Sequence, residues 1–384
     1  MLVAASASSF ESNTPLRRSR RWAATCAAWV VVSLLSLPAW AQQTLSVDPV
    51  AGGEPPVFSL DSPAGAFAYR AGRGLRFGDT GLTIGGFSTV EIDDEAPGDV
   101  TIELDSVNFL ILFEPIAALR FFAEVEIGGL ASFEPERDDF DHDLSVDVER
   151  IYADWSHGDA LNLRVGKFQT PVGRWNLVPA EPFVWTAVEP VQIERAFDEH
   201  ETGAALFGVV HPGGNPLRYW LHGQLVDPLD ADEDPQPAER SAGARLEYGD
   251  ALGSWSIGTS LLASEQKNEW NYLVGLDGLL QLGPLELSSE AVFAEGSIPD
   301  RDLWSVYLQG VLDLGELRLL RNVYLVGRFE HFNPDGRRED ANLWDVGITW
   351  IPRPWLNFKA GYRFSDRTTD DVVEGVTASL SVLF

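Results

Sequence analysis

Apolar and polar residues alternate along most of the chain after about residue 81. In LRFFAEVEI (119–127) most apolar residues share one parity, whereas Arg120, Glu124 and Glu126 fall on the other. This period of two predicts β-strands with one apolar and one polar face. Similar segments lie near 81–93, 100–113, 118–131, 144–156, 160–168, 201–210, 216–226, 241–249, 252–262, 269–281, 285–295, 303–313, 317–331, 341–351, 355–365 and 373–384. The sequence therefore predicts an all-β protein of about sixteen strands.

The connections between these segments alternate without exception between long and short. EPERDDFDHD (134–143) is a long acidic connection, whereas EPIA (114–117) is a short one. This rhythm predicts an antiparallel up-and-down meander with tight turns at one end and long loops at the other. A soluble β-sandwich or propeller is the alternative. A sandwich has Greek-key connections that break the rhythm, and a propeller should show a repeat that the sequence lacks.

A sheet of this many strands needs its edges removed, and each segment is long enough to cross a bilayer when tilted. We therefore expect a closed transmembrane antiparallel β-barrel. An Arg or Lys on the lipid face at the bilayer midplane costs about 2 to 4 kcal/mol, so charged residues within the strands should point inward. This group comprises Arg120, Glu124, Glu126, Arg164, Arg245, Arg328, Lys359 and Arg363. A barrel of about sixteen strands is wide enough to leave an aqueous lumen, which these side chains would line.

The first 41 residues carry the features of a signal peptide. Four arginines between Arg17 and Arg21 precede a mostly apolar run over 22–37 and a small-x-small site ending at Ala41. An uncleaved membrane anchor is the alternative. Residues 42–80 are rich in Pro and Gly and predict a flexible periplasmic lead-in, so the barrel is expected over 81–384. Cys26 is the single cysteine and lies in the signal peptide, which excludes disulfides from the mature chain.

Composition and motifs exclude several function classes. The 58 acidic residues outnumber the 28 Lys and Arg, and a net charge of −30 repels nucleic acid. DADED (230–234) has calcium-loop spacing, but Pro235 replaces the required Gly. Loose divalent cation binding that bridges to lipopolysaccharide remains an alternative for these acidic loops. No GxSxG or HExxH motif occurs, so we expect no enzyme, metal site or cofactor. A barrel-embedded hydrolase using Ser289 or Ser305 is the competing hypothesis.

The segments LNLRVGKFQTPVGRWN (161–176) and PVQIERAFDEHETGAALFG (190–208) are the most informative. Here the sequence resembles the phosphate-selective porin O and P family of Gram-negative outer-membrane proteins. The resemblance implies a homotrimer of sixteen-stranded barrels with a loop at about 170–200 folded into the pore. It also implies passive diffusion of small hydrophilic solutes with a bias towards phosphate-like anions. On this basis Lys167, Arg174 and Arg195 are candidate constriction residues, with Arg164 on the wall.

Two features of this region point elsewhere. Family members that select phosphate line their constriction with several lysines, whereas this chain has only Lys167, Lys267 and Lys359. The basic residues could instead form ion pairs that hold the loop against the wall, with partners among Glu181, Glu189, Asp198 and Glu201. A structural or adhesive barrel with a plugged lumen is a further alternative.

The last predicted strand, EGVTASLSVLF (374–384), ends on an aromatic residue. In a closed barrel this strand would pair with the first strand as well as with its predecessor. Outer-membrane proteins that resemble this chain present such a terminal residue, here Phe384, to the barrel assembly machinery. The expected location is therefore the outer membrane of a Gram-negative cell.

Overall fold

The computed structural model describes residues 46–47, 57–62, 65–95, 100–135, 139–178, 180–224, 226, 238–297, 302–334, 340–366 and 374–384. The predicted signal peptide lies outside these residues. Sixteen strands form the barrel: β1 Leu82–Glu95, β2 Val100–Ile116, β3 Leu119–Glu134, β4 Ser145–Ser156, β5 Asn162–Gln169, β6 His200–Val210, β7 Leu217–Gln224, β8 Arg240–Gly249, β9 Trp255–Gln266, β10 Glu269–Leu282, β11 Leu285–Gly296, β12 Leu303–Asp313, β13 Val323–Pro334, β14 Ala341–Arg353, β15 Leu356–Ser365 and β16 Gly375–Leu383.

Each barrel strand pairs antiparallel with the next, and β16 pairs antiparallel with β1. This closure confirms the predicted sixteen-stranded up-and-down barrel. At the seam, the Phe384 amide donates to the Gly86 carbonyl at 2.8 Å, and the Gly86 amide donates back at 3.0 Å. The terminal strand therefore has a hydrogen-bonded neighbour on both sides.

Side-chain parity separates an apolar outer wall from a polar inner wall. Ile257, Leu276 and Leu308 are 60%, 57% and 52% exposed, whereas the polar Ser260 and Asp277 on β9 and β10 are buried inside. This is the pattern of a barrel that presents apolar side chains to lipid and polar ones to its lumen. No helix in the described part of the chain is long and apolar enough to cross a membrane.

The long–short alternation of the connections has an exception. β9 and β10 are joined at the long-loop end by a two-residue turn, Lys267–Asn268, with φ of 51° and 63°. Two left-handed residues in succession suit a tight hairpin turn, and the right-handed strand twist favours that geometry. Strict alternation is therefore wrong at this position.

One strand begins later than predicted. β13 starts at Val323 rather than near residue 317, because the chain makes a compact turn after Leu314, which accepts hydrogen bonds from the amides of Leu319 and Leu320. Arg318 and Asn322 have positive φ in this turn. The apolar and basic residues of LRLLR match a strand pattern but lie in a turn at the tight-turn end.

The lead-in contains regular structure where the sequence predicted a flexible segment. Short strands occupy Ser46–Val47, Val57–Ser62, Gly65–Arg70 and Gly74–Phe77, and the last of these pairs with the start of β1. Gly74 has a φ of +80°, and a Cβ there would lie 2.4 Å from the Ile84 carbonyl oxygen. A glycine thus permits the close approach that joins the lead-in to the barrel. A further short strand, Asp139–Asp141, pairs with β3.

Candidate functional site: the loop inside the barrel

The connection between β5 and β6, residues 170–199, crosses the interior of the barrel. Its regular pieces are the 3₁₀ turns Trp175–Leu177 and Glu181–Phe183 and the short helix α1, Val191–Ala196; a third 3₁₀ turn, Pro212–Gly214, lies outside this loop. The Trp185 indole donates to Glu286 on β11 at 3.0 Å, and Asn357 on β15 donates to the Pro182 carbonyl at 3.0 Å. These partners lie on the wall opposite β5. The predicted inward fold of this loop is therefore present in the structure.

Glu290 on β11 anchors the first part of this loop. Its Oε1 accepts the backbone amides of Arg174 at 2.8 Å and Trp175 at 2.7 Å, and the Tyr307 hydroxyl at 2.8 Å. Gly173 lies beside it with a φ of +65°, and a Cβ there would lie 2.1 Å from Glu290 Oε2. Only glycine suits that position, because a side chain would collide with the anchoring carboxylate.

An apolar cluster lies between the loop and the inner wall. On the loop side it includes Val172, Trp175, Val191, Ile193, Ala196 and Phe197, and on the wall side Leu262, Leu273, Val292, Ala294, Leu303, Phe332, Ala341 and Leu343. Leu343 and Ile193 are fully buried in it. The inner wall is therefore apolar where it carries the loop, although inward positions elsewhere are mostly polar. Apolar burial thus contributes to holding the loop in the lumen.

Basic side chains of β13 and β15, the two neighbours of β14, hold the second part of the loop. Arg328 donates to the Val188 carbonyl at 2.8 Å, and Arg363 donates to the Glu189 carbonyl at 2.9 Å. Asp345, between them on β14, pairs with Arg328 at 2.9 Å and with Arg363 at 2.7 Å. These two guanidinium groups are therefore engaged by the protein itself.

The predicted constriction residues lie in different environments. Arg174 lies on the loop with its guanidinium 2.9 Å from Ser256 Oγ and 3.8 Å from Glu247. Lys167 is only 2% exposed and lies between Ile151 and Thr202 of the neighbouring strands. Arg195 is exposed on α1. The described residues therefore do not form a ring of exposed basic side chains.

The predicted wall residues Arg120 and Arg164 lie on either side of Asp154 in the register of β3, β4 and β5. Arg164 makes a two-point ion pair with Asp154 on β4, at 2.8 and 2.9 Å. Arg120 is exposed near the tight turn between β2 and β3 and pairs with Glu114 at 2.6 Å. Both guanidinium groups are therefore paired with acidic side chains of the wall.

Glu124 and Glu126 line a cavity of about 190 Å³ between the loop and the wall formed by β1 to β5. Its ionisable lining comprises Asp105, Glu124, Glu126, Glu149, Glu181, Glu199, Arg150 and His200. Arg150 forms an ion pair with Glu124, which leaves the carboxylates in excess. The cavity therefore carries negative charge beside the loop.

Glu181 lines this cavity and also binds the loop to the barrel wall. Its carboxylate accepts hydrogen bonds from Lys359 at 2.9 Å and from Ser379 at 2.6 Å. Burial raises the pKa of Glu181 above its ordinary value, while the positive charge of Lys359 and these hydrogen bonds act in the opposite direction. Glu181 is thus a loop carboxylate that protonates more readily than an exposed one.

Sequence reasoning missed the residues that fix the loop. Arg328, Arg363 and Lys359 were expected to line the lumen, but their role as loop clamps was not predicted. Glu290 and Asp345 were not singled out, although both fall on the polar parity of their strands. A buried acid at an inward position opposite a Gly-containing loop is the signal that could have found Glu290.

The serines considered for a hydrolase have other partners. Ser289 donates to the Tyr307 carbonyl at 2.6 Å, and Ser305 donates to the His331 carbonyl at 3.1 Å. In the described residues no group of three or more His, Cys, Asp or Glu is arranged to hold a metal ion.

Comparisons with known proteins address the fold. No family model matches the chain, and no curated protein matches it. An outer-membrane expressed OmpT of Vibrio cholerae is 12% identical with a TM-score of 0.54, covering 85% of this chain and 100% of that one. An anion-selective porin from Comamonas acidovorans is 13% identical with a TM-score of 0.56, covering 79% of this chain and 99% of that one. The outer-membrane channel DcaP of Acinetobacter baumannii is 12% identical with a TM-score of 0.52, covering 79% of this chain and 97% of that one. The chain therefore shares the sixteen-stranded barrel fold of outer-membrane porins.

Proposed function

We propose that this protein is a Gram-negative outer-membrane porin that allows passive diffusion of small hydrophilic solutes. The observation that carries the proposal is the cavity of about 190 Å³ that remains beside the inward loop in a closed barrel with a polar interior. The exposed apolar residues of the outer wall suit a bilayer, and the polar inner wall suits water. The chain has no enzymatic role in this proposal.

The charge around the cavity beside the loop supports a preference for cations over anions. Rings of acidic side chains in a narrow, low-dielectric passage favour cations, and rings of basic side chains favour anions. The anion bias expected from the sequence depended on Lys167, Arg174 and Arg195. Lys167 is buried and Arg174 lies beside Ser256 and Glu247, whereas carboxylates predominate around the cavity.

Reversal potential in a planar bilayer tests both parts of the proposal. Under a gradient of potassium chloride, we expect step conductances and a reversal potential of cation-selective sign. Absence of step conductance would favour the plugged structural barrel. An anion-selective sign would restore the bias expected from the sequence and support membership of the phosphate-selective porin O and P family.

We also propose a homotrimer in which the outer wall supplies the subunit contacts. One solved relative in fold is described as a trimer form of OmpT from Vibrio cholerae. Lipopolysaccharide around the acidic loops and the barrel assembly machinery acting on Phe384 are further proposed partners. Mass measurement of the detergent-purified protein by light scattering tests the trimer, and a monomer mass would contradict it.

A further inference from the structure

A ladder of stacked aromatic rings and guanidinium groups runs along the inner wall formed by β3 to β6. The Arg150 guanidinium lies 5.1 Å from the Phe122 ring centre, and Phe122 stacks on Tyr152 at 5.2 Å. The Arg164 guanidinium lies 3.7 Å from the Tyr152 ring centre and 5.3 Å from that of Phe207. Five side chains from β3, β4, β5 and β6 thus form one continuous surface.

This ladder faces the lumen. Phe121 and Ile151, the neighbours of Phe122 and Tyr152 on the opposite parity, are 41% and 46% exposed on the outer wall. Phe122 and Tyr152 are directly opposite each other on β3 and β4. Both rings are partly exposed, so part of their surface is open to solutes in the lumen.

The ladder lies between two open spaces. Arg150 lines the acidic cavity beside the loop. Further along β4, Ser156 lines an open cavity of about 740 Å³ at the tight-turn end, to which Asn162 of β5 also contributes. Tyr152 and Arg164 lie between these positions along the strands. A solute that crosses the lumen along this part of the wall would therefore pass the ladder.

The ladder is electrically balanced, unlike the cavity beside it. Arg150 pairs with Glu124, and Arg164 pairs with Asp154 through two hydrogen bonds. Guanidinium–carboxylate pairs have fixed, planar geometry and add directional polar contacts to an aromatic surface. A surface of this kind suits a neutral ligand with one apolar face and polar groups at its edge. Pyranose sugars have this chemistry, because their C–H face is apolar and their hydroxyl groups lie around the rim.

We propose that the partly exposed rings of Phe122, Tyr152 and Phe207, with the Arg164–Asp154 pair, form a binding track for pyranose sugars inside the channel. Because Arg164 lies over the Tyr152 ring and Phe122 stacks on it, the exposed ring edges would contact the apolar face of the sugar. The partly exposed Arg164 guanidinium, held in place by the buried Asp154, would donate hydrogen bonds to hydroxyl groups. Sites for small molecules commonly combine aromatic lining with a few fixed polar groups in this way. This inference rests on the proposed channel function and names one class of solute.

Sugar block of the ion current tests the track. We expect a linear glucose trisaccharide to reduce the potassium chloride current of the wild-type channel saturably, whereas sorbitol, an acyclic polyol, does not. Tyr152→Ala and Phe122→Ala should raise the half-blocking concentration about threefold to tenfold, the range expected for one aromatic contact. Phe121→Ala removes the neighbouring outward ring and should leave the block unchanged.

The outcomes separate the two proposals. A channel that conducts ions but shows no saturable sugar block would overturn the sugar track and leave the porin function standing. An equal block in the wild type, Tyr152→Ala and Phe122→Ala would also overturn it. Absence of ion conductance in the wild type would overturn the porin function and the track together. Retained conductance in potassium chloride shows that each variant has folded.

Discussion

Lys359 on β15 donates hydrogen bonds to both the backbone carbonyl and the side-chain carboxylate of Glu181 in the inward loop. The two residues are 178 positions apart in sequence. Lys359 is only 4% exposed, so its charge is used within the protein. The inner wall therefore uses the buried Lys359 to position the loop, and the carboxylates keep the cavity beside the loop acidic.

Replacing Lys359 with Met should loosen the loop and increase cation selectivity. Removing one partner of a buried ion pair costs roughly 3 to 5 kcal/mol, because the other charge remains buried without compensation. We expect larger fluctuations of the open-channel current and a reversal potential shifted further in the cation-selective direction. Arg353→Met is the control, since Arg353 is exposed and, within the described part of the chain, donates to the adjacent Pro352 carbonyl rather than to the loop. Equal current noise in the wild type and Lys359→Met would contradict a clamping role.

Cation selectivity should fall as the pH is lowered, and Glu181 should contribute to the fall. Burial raises the pKa of Glu181 above the ordinary 4.5, so this carboxylate gains its proton at a higher pH than an exposed one. Protonation removes negative charge from the cavity wall. Reversal potentials measured from pH 8 to pH 4 should show this loss of selectivity in the wild type.

The variant Glu181→Gln isolates that contribution. It should show weaker cation selectivity than the wild type at pH 8, and its selectivity should depend less on pH. Glu295→Gln removes an exposed carboxylate near the end of β11 and serves as the control. Identical pH profiles for Glu181→Gln and the wild type would assign the pH dependence to other groups.

Glu290→Ala should free the first part of the loop. The substitution leaves the amides of Arg174 and Trp175 without their acceptor, and an unsatisfied buried donor costs about 1 to 3 kcal/mol. We expect hydrogen exchange of these two amides to accelerate by about tenfold or more, since 1.4 kcal/mol corresponds to a factor of ten. Glu295→Ala on the same strand should leave their exchange unchanged. Unaltered protection in Glu290→Ala would show that the first part of the loop is held without Glu290.

The barrel could be predicted because its physical signal repeats along the chain. Alternating parity in segments such as 119–127 reflects the two environments of a barrel wall, and most strand ends were located within a few residues. The exception at β13 is instructive. Leu319 and Leu320 are exposed in a turn, and local hydrogen bonds to Leu314 override the apolar pattern there.

The arrangement inside the barrel could be predicted only in part. Parity places Arg328 and Lys359 on the inner wall, but it does not say whether their charges face solutes or a loop. That choice depends on contacts between residues far apart in sequence, such as Arg328 with Val188. The inward Leu343 illustrates the same limit, because its burial is explained by the loop that covers it.

The barrel seam depends on close contact between Gly86 and Phe384, and Gly86→Ala tests it. A Cβ at Gly86 would lie 2.0 Å from the Asn108 carbonyl oxygen and 2.8 Å from the Phe384 ring, so strand β1 would have to shift away from both neighbours. The Phe384 ring also packs edge-on against Phe109 at 5.9 Å. We expect a lower yield of folded barrel. We also expect the folded barrel to unfold at a lower temperature, as measured by its mobility on a gel after heating.

Gly310→Ala is the matched control for the seam. A Cβ at Gly310 would make only an ordinary contact with Leu287, 3.5 Å away, so its yield and unfolding temperature should match the wild type. Deletion of Phe384 removes the paired backbone hydrogen bonds to Gly86 together with the ring, and it should reduce folded barrel at least as strongly as Gly86→Ala. If both seam variants gave wild-type yields in outer-membrane fractions, the contact between Gly86 and Phe384 would be dispensable for closure. The remaining β1–β16 hydrogen bonds would then be sufficient to close the barrel.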